Sequence, residues 1–89
     1  MTVKTVVPRA LADRDVRQAI AHYLEHASTD IAVDFVEALR HAYSHISRFP
    51  GSGSTRLAHQ LSLADLRCWP LRKYPYIVFY FERDDYIDV

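Results

Sequence analysis

Apolar positions along this chain change their spacing as the chain proceeds, and each change predicts an element. Thr2 to Val7 is rich in β-branched residues and stops at Pro8, which predicts a short strand turning into a helix. From Ala10 to His26 the apolar residues Val16, Ile20, Tyr23, Leu24 and Ala27 fall three or four apart or side by side, the pattern of one helical face. Ala27 to Asp30 then supplies side chains that can accept hydrogen bonds from the free amides of a new helix, so a tight break is expected there. Ile31, Phe35, Leu39, Ala42, Ile46 and Phe49 follow at steps of four, four, three, four and three, which predicts a second helix ending at Pro50. Gly51 to Ser54 holds both glycines of the chain and reads as a flexible loop with nothing rigid in it. Thr55 to Ala64 shows no clear period.

Beyond that point the pattern is that of strands, at Leu66 to Leu71, Tyr76 to Glu82 and Tyr86 to Val89, with turns at Arg72 to Pro75 and Arg83 to Asp85. The predicted class is α+β with the order βααβββ. A short connection makes the two helices an antiparallel hairpin, and their apolar stripes require a common surface, one face of a small and mainly antiparallel sheet. Pro70 cannot donate to a ladder, so the second strand is expected at an edge or with a bulge. The run Tyr76 to Phe81 is apolar on both faces, as in a central strand covered by helices on one side and by a partner on the other.

Composition narrows the class of protein. A chain of 89 residues with 49% hydrophobic residues suits a single domain, residues 1–89, built around one core. One cysteine, Cys68, excludes an internal disulfide, and the cytosol is the expected compartment. Neither a signal peptide nor a membrane segment is expected. Lys plus Arg equals Asp plus Glu at 11 each, so the molecule has no overall positive field to gather a polyanion, and direct binding of nucleic acid is not expected.

Pro8 with Ala12 and Asp13, Ile20 and Tyr23, Ala32 with Phe35, Leu39 and Ala42, Ile46 and Pro50 stand in an order that continues into Leu66-Arg67 and Pro75-Tyr76-Ile77-Val78-Phe79-Tyr80 and closes on Ile87-Asp88-Val89. Over nearly the whole chain this order resembles the ParE branch of the ParE/RelE toxin superfamily. The resemblance implies the toxin of a type II toxin-antitoxin pair, which inhibits DNA gyrase by binding it, blocks replication and is neutralised by a cognate antitoxin laid over the helical hairpin and the sheet edge. Two alternatives stay open: a RelE-like ribosome-dependent endoribonuclease of messenger RNA, and a non-toxic plasmid-stabilisation binding module. Family members commonly continue a few residues past the strand that ends here at Val89. Toxic strength, rather than fold, is therefore the property in question.

In the RelE branch, cations and a tyrosine on the sheet orient the phosphate and assist attack of the 2′-hydroxyl. The resemblance makes Arg56, Arg67, Arg72, Lys73, Arg83 and Tyr86 the candidates here, but Asp84, Asp85 and Asp88 set opposing charge around Arg83 and Tyr86. The preferred reading therefore has no catalytic residues. Arg56, Arg67, Trp69, Arg72, Tyr74, Tyr76, Tyr80 and Arg83 are candidates for contact with the target or the antitoxin. Arg67, on a strand among hydrophobic neighbours, is either such a contact or half of an internal ion pair. Strand alternation assigns about half of the aromatic group to the core. His22 with His26, and His41 with His45, have a spacing that can bind zinc, but the pairs need not converge and no further ligand completes a set, so surface histidines are the simpler reading. Cys68, with His59 and Asp65 nearby in sequence, reads as a buried small hydrophobe rather than a nucleophile. No metal or cofactor is expected.

Overall fold

The computed structural model describes residues 3–89 and has the expected α+β layout. Strand β1 (Thr5–Val7) leads to helices α1 (Ala10–His26) and α2 (Thr29–Arg48), and a single 3-10 turn (Pro50–Ser52) follows. A short helix α3 (Arg56–Gln60) precedes strands β2 (Arg67–Pro70), β3 (Ile77–Glu82) and β4 (Tyr86–Asp88). Thr2, the start of the expected first strand, lies outside the described residues. Helix α3 occupies the segment without a legible period, because five residues are too few to repeat one. Among the described residues, no helix is long and apolar enough to cross a membrane.

The sheet order is β1-β4-β3-β2, with β1 parallel to β4 and the other pairs antiparallel. Strand β2 is at an edge, as Pro70 requires. The amide and carbonyl of Cys68 both bond to Ser54, on the side of β2 away from β3. These groups alternate sides along an antiparallel strand, so the missing N–H of Pro70, two residues on, falls on that same outer side and costs no ladder bond.

Phe35, Ile46, Tyr80 and Ile87 are the largest fully enclosed side chains. Helix α2 buries Ala32, Phe35, Ala42 and Ile46, whereas Ile31 and Phe49 from the expected stripe stay exposed. The cause lies at the helix ends. Ser28 caps α2 by accepting the Ile31 amide at 3.1 Å, which places Ile31 in the opening turn, and Phe49 already has non-helical backbone angles. On α1 the inward face is Ala19 with the half-buried Val16, Ile20 and Tyr23. Leu24 lies about 100° further round than Tyr23, whose ring packs 5.4 Å from Phe35, and it remains exposed along with Ala27.

The segment expected to be a flexible loop is instead pinned to the core. The Tyr80 hydroxyl donates to the Pro50 carbonyl at 2.7 Å and accepts the Gly53 amide at 3.0 Å, while Ser54 pairs with Cys68 in both directions. Gly53 is buried, and a Cβ there would overlap the Tyr80 ring, 2.8 Å from Cζ. Glycine is needed for this close approach, not for a left-handed backbone. Gly53→Ala should therefore lower stability by about 1–3 kcal/mol through overpacking. Gly51→Ala, with open space around the added methyl group, should be nearly neutral in the same urea-unfolding series.

Candidate functional site

Strand β3 is longer than its partner β4, and the difference leaves an edge open. Pairing with β4 covers only Phe81, opposite Asp88, and Glu82, opposite Ile87. The Arg83 amide bonds to the Tyr86 carbonyl, and alternation from there directs the polar groups of Phe81, Phe79 and Ile77 to the β4 side. Among the described residues, the amides and carbonyls of Phe79 and Ile77 have no backbone partner. Between this edge and α1 runs an apolar groove of about 280 Å³, lined among others by Leu11 and Val16 of α1, Leu39 and Tyr43 of α2, and Val78 of β3, with Val89 also at its wall. The side chains of Ile77 and Phe79 are 49% and 41% exposed, so among the described residues β3 is covered by the helices on one face only.

The candidate cations do not converge. Arg67 is half-buried and, among the described residues, is not half of an ion pair. Its guanidinium donates to the carbonyls of Gly51 at 3.1 Å and Gly53 at 2.9 Å, where it holds the turn that Tyr80 also grips. Arg83 reaches Asp88 at 3.1 Å and lies over the Phe81 ring at 4.8 Å. Lys73 is 3.9 Å from Asp34, and Arg56 is exposed at the start of α3. Arg72 is exposed in the turn after β2, and Tyr86 projects from β4, 36% exposed.

The aromatic candidates also separate. Tyr80 is fully buried and occupied by the turn, so it offers no surface to a partner. Tyr74 donates to Asp34 at 2.6 Å, and that hydrogen bond, reinforced by burial, pushes its phenol up to about 12. Tyr76 is 38% exposed and packs edge-on to Phe35. Trp69 stacks on His45 with ring centroids 4.1 Å apart. His22 and His26 lie exposed on α1, and Cys68 is buried. Among the described residues, no three His, Cys, Asp or Glu side chains come together in a metal-binding cluster.

No family model, curated protein or solved structure matches the chain.

A charged centre lies at Asp88, where the opposing charge expected beside Arg83 is joined by an unexpected partner, Arg9. Its carboxylate, almost enclosed at the end of β4, takes a two-pronged hydrogen bond from Arg9 and a further pair from Arg83. The Arg9 bonds foremost, then those of Arg83 and the charge of both, hold the acid down to about 2 against the opposing effect of burial. A carboxyl whose folded value is depressed contributes stability that is complete above its ordinary range near 4 and is lost as pH falls towards 2. Asp88→Asn should thus cost about 2 kcal/mol at neutral pH. It should also flatten the acid limb of a stability-against-pH curve measured by urea unfolding. An unchanged acid limb would place the acid sensitivity elsewhere.

Proposed function

We propose that this chain is the toxin of a type II toxin-antitoxin pair in the manner of the ParE branch, that it acts by binding DNA gyrase, and that it is neutralised by its antitoxin. The observation that carries this reading is the apolar groove between β3 and α1, with large apolar side chains exposed at its rim. An apolar groove with Ile77, Phe79 and Leu11 exposed at its rim suits a protein held by a partner that lays an apolar segment into it. Dispersal of the cations favours inhibition by binding over messenger RNA cleavage. Phosphate stabilisation needs several cations at one place, whereas Arg67 is tied to carbonyls and Arg83 and Lys73 lie beside carboxylates.

Induction in bacteria is expected to give a DNA-damage response with filamentation, and the purified protein is expected to inhibit gyrase supercoiling. Translation arrest with cleaved messages and unimpaired supercoiling would overturn the target. Leu11→Arg, at a position 66% exposed, should leave the fold intact but weaken neutralisation by the antitoxin at least about tenfold in a binding titration.

A further inference from the structure

We infer that a second groove, between the C-terminal half of α2 and the end of β2, docks an acidic amphipathic segment of a partner protein. This inference does not depend on the toxin reading. The groove encloses about 610 Å³ on the opposite side of α2 from the β3 slot's α1 wall, and its lining contains His41, His45, Arg48 and Arg72 but no carboxylate. Zero net charge hides this local excess. Lys4, Arg9, Arg17, Arg40, Lys73 and Arg83 each have a carboxylate within 4.0 Å. Among the described residues, Arg48 and Arg72 have none, and no hydrogen bond from another side chain occupies their guanidinium groups. The other arginines without a carboxylate are Arg67, bound to carbonyls, and Arg14 and Arg56, which do not line this groove. His41, His45 and Arg48 lie at steps of four and three along α2, so they share one helical face, and Arg72 approaches that face from the turn after β2.

The floor selects the partner's class. Between the cations it is apolar, with Ala38, Ala42, Phe49 and Leu71, and Phe49 is 46% exposed. Carboxylates that reach Arg48 and Arg72 from a segment with apolar residues between them would satisfy the whole surface, with charge complementarity setting the register. A nucleic acid fits less well. The single tryptophan, Trp69, already stacks on His45 and packs against the core, so it is no open platform for a base, and two arginines make a short track for a phosphate backbone. His45 is held in its stack by a 3.0 Å hydrogen bond between its Nε2 and the Ser52 hydroxyl, which fixes the wall of the groove before any partner arrives.

Trp69 fluorescence reports on the groove directly, because no other tryptophan contributes. The probes are an amphipathic Glu/Ala/Leu peptide of about 15 residues, its Lys-for-Glu counterpart and a single-stranded oligothymidine. The Glu peptide should change the fluorescence saturably and more weakly as salt rises, and the Lys peptide should not. Arg48→Glu with Arg72→Glu should reduce its affinity at least about tenfold, with an unchanged far-ultraviolet circular dichroism spectrum. Arg14→Glu on α1 should leave the affinity unchanged. An absent saturable response, full affinity in the folded double variant, or tighter binding of oligothymidine at equal ionic strength would each overturn the inference. None of these readings involves gyrase or an antitoxin, so the two proposals fail separately.

Discussion

The Tyr80 hydroxyl is the point on which the two halves of the molecule meet. It projects from the helix-facing side of β3, donates to Pro50 just after α2 and accepts from Gly53 just before α3. A phenol buried without partners would be costly, and the two backbone groups would be equally costly in the same place. Together they satisfy one another. Arg67, next to Tyr80 across the β2–β3 pairing, binds the carbonyls of Gly51 and Gly53, so neighbouring strands hold the same turn from two positions. The exit of α2 is thereby tied to the sheet, and the helical hairpin cannot tilt without breaking buried hydrogen bonds.

Charge is arranged by the same economy of pairing. Asp88 is shared by Arg9 from the start of α1 and Arg83 from the β3–β4 turn, so one carboxylate joins the helical layer to both ends of the last hairpin. Lys4 does comparable work at β1, where it reaches Glu82 at 2.8 Å and the Arg83 carbonyl at 2.7 Å. These matched pairs draw cations away from any common phosphate site. Two of the unmatched arginines, Arg48 and Arg72, meet where α2 and β2 run out, beside Trp69.

Much of this fold is legible in the sequence because periodicity reports which side of an element is buried. Helix α1 begins and ends where the apolar pattern does, at Ala10 and His26, and of the two placements that Pro70 allows for β2, an edge or a bulge, the edge is the one found. The misreadings have physical causes. Ile31 is apolar and in phase, yet the Ser28 cap leaves it in the first turn and hands the buried position to Ala32. Gly51 to Ser54 has the composition of a flexible loop, and it is partners distant in sequence, Tyr80, Arg67 and Cys68, that make it rigid. The candidate site was legible residue by residue but not as an arrangement. Arginine at positions 67 and 83 looks alike in a sequence, and backbone carbonyls are invisible as partners there. The groove lined by His41, His45 and Arg48 was not legible: the His41–His45 spacing suggests metal ligands, and nothing in the sequence singles out Arg48 from the other arginines.

The open stretch of β3 has a consequence for specificity that its small size makes acute. A full-length bare edge invites any extended chain, including another copy, to stack on it and propagate. Along this stretch, among the described residues, Phe79 and Ile77 offer unpaired groups, between the end of β4 and the wall of α1. Two residues of ladder give too little binding by themselves to template a growing sheet. A visitor must bring side chains that fill the groove as well, so shape and apolar character, more than backbone pairing, decide what this stretch accepts.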